Sequence, residues 1–152
     1  MQTLYLALKY VHIFSAIVAV GSNLTYGVWF ARAGTQRSEL SFALKGIKFI
    51  DDRIANPAYG VLFVTGVIMI IVDHWSITSL WIIVAVVLFV VLAVLGFAIA
   101  SPMFRNQIRL VDAGDTSSAE FVSNARRGRI LGPVLGVIVL VILAMMVFKP
   151  TL

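Results

Sequence analysis

The 152-residue sequence is 61% hydrophobic and only 12% charged, with a mean hydropathy of +1.00. Soluble globular domains are about half apolar and about a quarter charged, so this composition excludes an ordinary water-soluble domain. The chain has no cysteine, which excludes disulfide bonds, thiolate metal sites and a thiol nucleophile. We therefore expect an integral membrane protein.

Four apolar stretches are each long enough to cross a bilayer, which takes roughly 20 helical residues. Lipid offers no hydrogen-bond partners for backbone polar groups, so each span must be helical. The sequence lacks the alternation of apolar and polar residues that a transmembrane β-barrel would show. We predict an all-α fold, a single four-helix bundle over residues 1–152. Its spans lie at about 4–30, 57–73, 80–104 and 130–148. The first span is too long for a signal peptide and lacks a cleavage pattern, so we expect it to remain.

The first span is predicted to have a polar face. At 100° per residue, its polar side chains fall on one side of the helix, opposite a mainly aliphatic side. The polar residues are Lys9, His12, Ser15, Ser22, Asn23 and Tyr26. An ionisable residue inside a membrane helix is costly and is usually kept for a function, so His12 is the first candidate site residue. The alternatives for His12 are a hydrogen-bonded packing residue and a proton-carrying group.

Ten of the twelve Lys and Arg residues lie in the two connections at 31–56 and 105–129. The positive-inside rule places both connections in the cytoplasm and both chain termini outside. The formal charge of +5 therefore indicates topology and contact with anionic lipid. We expect no nucleic-acid partner.

Both connections are predicted to be largely helical. Residues 38–56 mix apolar and charged side chains in a helical pattern, so the second helix is expected to begin before the membrane, with a kink or short break at Pro57. Residues 113–116 are a predicted turn, and Ser117 with Glu120 matches a capping box that opens the fourth helix. The helices thus extend on the cytoplasmic side, as a solvated collar or as a docking surface for a partner.

The fourth span contains the pair Gly132-x-x-x-Gly136. Small residues four apart allow membrane helices to approach closely. We expect the pair to pack helix four within the bundle, because helices two and three offer similar small sites at Gly60, Gly66 and Gly96. The alternative is a contact between two chains of a homodimer.

The predicted topology gathers possible ligands in the outer third of the bundle. His12 lies roughly 10 Å below the outer surface, and helices two and four end on the same side. Imidazole and thioether groups ligate haem iron or copper, and four-helix bundles often hold cofactors. We expect a haem b site from His12, His74, Met69 and Lys9, or a copper site from His12, Met145 and Met146. Against this, a methionine can simply fill a gap and His74 can belong to an interfacial aromatic belt.

At the inner end of helix two, Asp51 and Asp52 precede Arg53. This group is suited to a cation, but we expect a local ion-pair network. Asn56 and Tyr59 are expected to line the inner end of the bundle. The sequence has no phosphate-binding glycine loop and no hydrolase motif.

Several short motifs resemble a bacterial family of predicted integral membrane proteins whose function is not established. The family is similar to a four-helix superfamily that includes the copper resistance D proteins and the membrane-bound protoporphyrinogen oxidase. The motifs are Lys9-Tyr-Val-His12 followed by Gly21, Asn23, Tyr26 and Arg32, then Asn56-Pro57 with Gly60, and Met146-Val-Phe-Lys149-Pro150.

The resemblance implies haem binding through His12, because the oxidase relatives carry a K-x-x-H histidine that binds haem. Those relatives also have a lysine after a tryptophan on the third helix, whereas here Trp81 precedes Ile82. This difference argues against porphyrinogen oxidation. The leading expectation is a small membrane haem protein or an accessory subunit of a membrane redox complex. The alternatives are a non-enzymatic assembly or packing protein and a copper-handling protein, and whether the chain is an enzyme stays open.

Overall fold

The computed structural model describes residues 2–34 and 36–150. Within these ranges the chain forms four long helices and no strand, which confirms the all-α prediction. All four helices are long and apolar enough to cross a membrane. They are α1 (Gln2–Arg32), α2 (Arg37–Val72), α3 (Leu80–Asp112) and α4 (Ala119–Phe148).

The short connections alternate between the two ends of the bundle. We call the end with the start of α1, the loop at 73–79 and the end of α4 the terminal end. The end with the connections at 33–36 and 113–118 is the basic end, because most Lys and Arg residues lie near it. Both connections are shorter than the sequence ranges 31–56 and 105–129, since the helices themselves extend into them as predicted.

The helices pack closely in two pairs through their apolar parts, α1 with α2 and α3 with α4. At the basic end, the first part of α2 packs against the last part of α3 and stays in contact with α1, where the ring of Phe42 lies 5.8 Å, centroid to centroid, from that of Trp29. In the apolar part the two pairs also meet through aromatic rings. Tyr59 and Phe63 of α2 lie 6.2 and 5.4 Å, centroid to centroid, from Phe89 of α3.

Alanine, serine and threonine side chains make up much of the buried interior of the apolar part, and large aliphatic side chains cover its outside. Ala19 and Ala85 are 0% and 2% exposed, whereas Leu24 and Leu140 are 73% and 64% exposed. Small residues inside the bundle let the helix backbones approach closely. Large aliphatic side chains on the outside contact lipid tails that are as apolar as leucine, so their exposure is not costly in a bilayer. This inside-out distribution is the one expected of a membrane bundle.

A π-helical segment interrupts α2 at Asp51–Ala55, directly before Asn56-Pro57. Its wide turn is closed by the Asn56 N–H, which donates to the Asp51 carbonyl five residues earlier. Pro57 cannot donate a hydrogen bond, and its ring would clash with the carbonyl of Arg53 in a regular α-helix. The wider turn relieves this conflict. The expected kink or break at Pro57 is therefore a π segment inside a continuous helix.

α3 repeats the same device in its own second half. The π segment Leu95–Ala100 ends one residue before Ser101-Pro102, and the Ser101 N–H donates to the Gly96 carbonyl. This second segment was not predicted from the sequence, although Pro102, which accompanies it, is visible there.

α4 begins one residue later than a Ser117 cap requires. The hydroxyl of Ser118 accepts a hydrogen bond from the Phe121 N–H at 3.2 Å, and Ala119 is the first helical residue. Glu120 instead accepts a hydrogen bond from Asn106 of α3 at 2.7 Å. The predicted capping box is therefore wrong by one residue, because the contact with α3 takes the glutamate away from the cap.

The prediction that Gly132 and Gly136 pack α4 within the bundle is also wrong. Apart from the adjoining residues and the backbone of α4 itself, no atom of the described residues lies within 4 Å of the position that a Cβ would take at either glycine. The same holds at Gly60 and Gly96, whereas Gly66 lies in contact with α1. Gly132 and Gly136 therefore face away from the other three helices.

Candidate functional site

His12 lies half-buried on α1, facing α2. Its Nδ1 is 3.0 Å from the hydroxyl oxygen of Thr65, which is buried. The ring packs beside Gly66, where an added Cβ would come within 3.1 Å of His12 Cε1. Glycine at position 66 therefore provides the space that the imidazole occupies.

The hydroxyl of Thr65 decides which nitrogen of His12 carries the hydrogen. Its oxygen lies 2.7 Å from the carbonyl oxygen of Val61 and 3.1 Å from that of Leu62, and carbonyls only accept. A hydroxyl has one hydrogen, which these carbonyls share, so toward His12 it acts as an acceptor. Nδ1–H is then the donor. In the neutral ring, Nε2 keeps a free lone pair.

Asn23 and Tyr26, further along the polar face of α1, also meet α2. Asn23 donates to the Tyr59 hydroxyl at 2.7 Å, and the Tyr26 hydroxyl donates to Asp51 at 3.2 Å. Asn56 donates to the second oxygen of the Asp51 carboxylate at 3.3 Å. Asn56 and Tyr59 are thus half-buried beside the contact between α1 and α2, toward the basic end, and the assignment of this end to the cytoplasm stays a prediction. The contact between Tyr26 and Asp51 was not anticipated, although Tyr26 belongs to the predicted polar face.

One acceptor in this cluster has no partner. The side-chain oxygen of Asn23 is enclosed and makes no hydrogen bond to any residue that the structure describes. An enclosed polar atom without a partner costs about 1–3 kcal/mol. The cluster of Asn23, Tyr26, Asp51, Asn56 and Tyr59 therefore has one hydrogen-bond acceptor that is not used, unlike the pair of His12 and Thr65.

The acidic residues next to this cluster form the local network expected from the sequence, but with different partners. Asp52 pairs with Lys48, one helical turn earlier on α2. Asp51 is bound by Tyr26 and Asn56 rather than by Arg53. A cation at this position stays a prediction.

The structure does not bring His74 to His12. His74 is exposed and adopts a left-handed backbone (φ 54°) after the last turn of α2. Its N–H and that of Trp75 donate to the carbonyls of Ile71 and Ile70, which is the Schellman arrangement. His74 follows Thr65 by nine residues, about 13 Å along a helix. It caps the helix at the terminal end.

Of the two predicted ligands on or after α2, register places Met69 nearer to His12 than His74. It follows Thr65 by four residues and so lies on the same face of α2, about 6 Å closer to the terminal end. Its side chain is half-buried. Lys9 lies three residues before His12 on α1 and is exposed.

Met145 and Met146 lie in the last turn of α4 at the terminal end. The chain is held there by Lys149, whose ammonium lies 4.4 Å from the ring centroid of Trp75 and 5.2 Å from that of Trp81. Among residues 2–34 and 36–150, no group of three or more His, Cys, Asp or Glu side chains is arranged to hold a metal ion. A copper site would therefore depend on His12 and thioether groups.

A small apolar cavity lies between the two helix pairs, on the basic-end side of His12. Its volume is about 30 Å³, an order of magnitude below the roughly 300 Å³ of the smallest common ligand pockets. The lining includes Ala16, Val20, Tyr59, Leu62, Phe89 and Leu92. This cavity does not hold a porphyrin, so a large ligand would reach the half-buried His12 from the surface of the bundle.

The chain thus has four helices of membrane length, with polar contacts between the first two. Residues 6–150 match the family described as predicted integral membrane protein (DUF2269). The chain belongs to this family. Neither the curated proteins nor the solved structures contain a match to it. The family establishes an integral membrane protein and names no ligand, so function has to be argued from the site.

Proposed function

We propose that this member of the DUF2269 family is a small membrane haem b protein, or an accessory subunit of a membrane redox complex, in which His12 binds the iron. The observation that carries the proposal is the hydrogen bond from His12 Nδ1 to Thr65. Histidines that ligate metals almost always donate their second N–H to a fixed acceptor, which orients the ring and leaves the other nitrogen for the metal. Nε2 of His12 meets this condition.

The surroundings fit a haem at the edge of the bundle and not at its centre. The central cavity of about 30 Å³ is too small, whereas the half-buried ring of His12 is accessible from outside. His12 would hold the iron, Thr65 would fix the ring, and Met69 would be the nearest candidate for a second ligand. A bound haem would supply one-electron transfer. The similarity of Lys9-Tyr-Val-His12 to the K-x-x-H motif of the membrane-bound protoporphyrinogen oxidase also supports this assignment.

The proposal includes an orientation. Ten of the twelve basic residues lie toward the basic end, and the positive-inside rule assigns that end to the cytoplasm of a bacterial inner membrane. His12 is then in the outer half of the membrane, with both chain termini outside. A cysteine accessibility assay on Ser76→Cys and Ser117→Cys tests this, since only the second should be protected in intact cells.

Visible absorption of the purified, haem-supplied protein tests the main proposal. We expect a Soret band that His12→Ala abolishes and that His74→Ala, a change at the exposed histidine, leaves in place. A haem-supplied wild-type protein with no Soret band, or an unchanged band in His12→Ala, would refute it. Metal analysis of the same preparation decides the copper alternative, which requires stoichiometric copper bound through His12 and lost in Met145→Leu and Met146→Leu.

A second candidate is a non-enzymatic assembly or packing protein. It is favoured by the fact that the polar face of α1 is used within the chain, through the three contacts His12 with Thr65, Asn23 with Tyr59, and Tyr26 with Asp51. Mild crosslinking in native membranes followed by affinity purification tests it. Recovery of a defined partner without haem favours this role over the first, and recovery of the chain alone counts against it.

A further inference from the structure

Six arginines at the basic end are exposed and have no hydrogen-bond or ion-pair partner in the described part of the chain. They are Arg32, Arg53, Arg105, Arg126, Arg127 and Arg129. The two lysines of that end are both paired, Lys45 with Asp112 and Lys48 with Asp52. The guanidinium groups are therefore the free cations of this surface, and three of them lie within four residues of each other on α4.

The arginines of α4 lie at the basic end of an apolar face of that helix. Arg129, Gly132, Gly136 and Leu140 follow one another at spacings of three and four residues and so share one side of the helix. Ile130 and Leu140 are 61% and 64% exposed. This side of α4 is thus charged at the basic end and apolar along the membrane.

The two glycines make this face concave. Apart from the adjoining residues and the backbone of α4 itself, no atom of residues 2–34 or 36–150 lies within 4 Å of a Cβ position at Gly132 or Gly136, and both residues are exposed. Without side chains, they leave a shallow groove beside the larger exposed side chains of Ile130, Val137 and Leu140. The groove begins one turn from Arg129.

We propose that this face of α4 binds an anionic phospholipid, with the phosphate on Arg126 and Arg129 and one acyl chain in the groove over Gly132 and Gly136. Guanidinium groups bind phosphate oxygens through paired hydrogen bonds. The ligand is a lipid and not free phosphate, because the arginines lead directly to the groove over Gly132 and Gly136 and to the exposed apolar side of α4 beyond it. A phospholipid has the complementary arrangement, an anionic headgroup followed by apolar acyl chains.

A second copy of the chain fits this face less well than a lipid does. Two parallel copies meeting at Gly132 and Gly136 would bring Arg126 and Arg129 of both chains together, and like charges at such a contact are destabilising. An anionic headgroup instead neutralises these arginines. Charge complementarity therefore favours the lipid.

The test uses delipidated protein in a neutral detergent, to which dioleoyl phosphatidylglycerol or dioleoyl phosphatidylcholine is added. We expect the anionic lipid to raise the thermal unfolding temperature more than the zwitterionic lipid does. The double variant Arg126→Gln/Arg129→Gln should weaken apparent binding of the anionic lipid by roughly five-fold per arginine. The matched control Arg32→Gln/Arg53→Gln removes two equally free arginines from α1 and α2 and should leave binding nearly unchanged.

Equal effects of the two lipids, or equal losses in the two double variants, would overturn the proposal. If the α4 double variant does not fold, Gly132→Leu, which fills the groove and keeps the charges, should lower binding of the anionic lipid while inorganic phosphate has no effect in any variant. A stabilisation by inorganic phosphate alone would show an anion site without a lipid. A stable dimer that forms without lipid and is lost in Gly132→Leu would assign the face to a second copy instead.

Discussion

Arg37, the first residue of α2, donates its Nε–H to the main-chain carbonyl of Val111 in the last turn of α3, at 2.8 Å. A second guanidinium nitrogen donates to the carbonyl of Asp112. The last carbonyls of a helix have no partner within that helix, so one side chain satisfies two of them and joins the helices at the basic end.

Replacing Arg37 with alanine should therefore destabilise the contact between α2 and α3. We expect a loss of about 1 kcal/mol in the free energy of unfolding, because the bonds involve a charged donor but are partly exposed. Denaturant unfolding in detergent measures it. Arg32→Ala is the control, since Arg32 is exposed and has no partner within the described ranges. Equal losses in both variants would contradict this role of Arg37.

Gly66 and Gly60 provide a matched pair on α2. An added methyl group at Gly66 would press on the His12 ring, 3.1 Å from Cε1, whereas at Gly60 it would meet open space. Alanine is favoured over glycine in a helix by roughly 1 kcal/mol. Gly60→Ala should therefore be neutral or stabilising in thermal unfolding. Gly66→Ala should lose that advantage and lower haem binding. The idea fails if the two variants behave alike.

The bond between His12 and Thr65 can be measured by a double-mutant cycle with Thr65→Val and His12→Phe. We expect a coupling free energy of about 0.6 kcal/mol, the usual size for a side-chain hydrogen bond between membrane helices. Unfolding in mixed micelles gives the four stabilities. Thr65→Ser keeps the acceptor and should retain the coupling. Purely additive single changes would show that the two side chains are neighbours without a stabilising bond.

Asp112 gives a prediction for low pH. Hydrogen bonds from Lys45 and from Ser41 lower the pKa of this carboxyl, which lies beyond the apolar part of α3. A lowered folded-state pKa means that the bonds stabilise the protein above the ordinary carboxyl pKa of about 3.9 and that this contribution disappears as the pH falls through the folded-state value. The stability difference between the wild-type protein and Asp112→Asn should therefore shrink below about pH 4. A difference independent of pH would contradict the ion pair.

The membrane helices were predictable because apolar length is a local property of the sequence. The half of α2 outside the apolar stretch was predictable for a similar reason, since its mixed pattern repeats at helical spacing. The choice between Ser117 and Ser118 as the cap of α4 was not, because it depends on which partner takes Glu120. Asn106 of α3 does so, and that contact exists only in the folded chain.

Within the candidate site, His12 was identifiable and its partner was not. A single threonine in an apolar helix has no distinctive signal, and Thr65 matters only because packing sets it against α1. The polar face of α1 was recognisable for the same reason as the helices, by its spacing. Its contacts with Tyr59 and Asp51 depend on the register between α1 and α2, which the sequence pattern leaves open.

The π segment at Asp51–Ala55 changes what a single helix can contact. Thr65 follows Ile47 by eighteen residues, five full turns at about 3.6 residues each, so in a regular α-helix both side chains would point the same way. The extra residue in the wide turn rotates the two halves apart by roughly a quarter of a turn. Ile47 is fully buried in the half that packs against α3, and Thr65 reaches His12 on α1. Deleting one residue from this turn would restore a uniform helix that could satisfy only one of its two partners at a time.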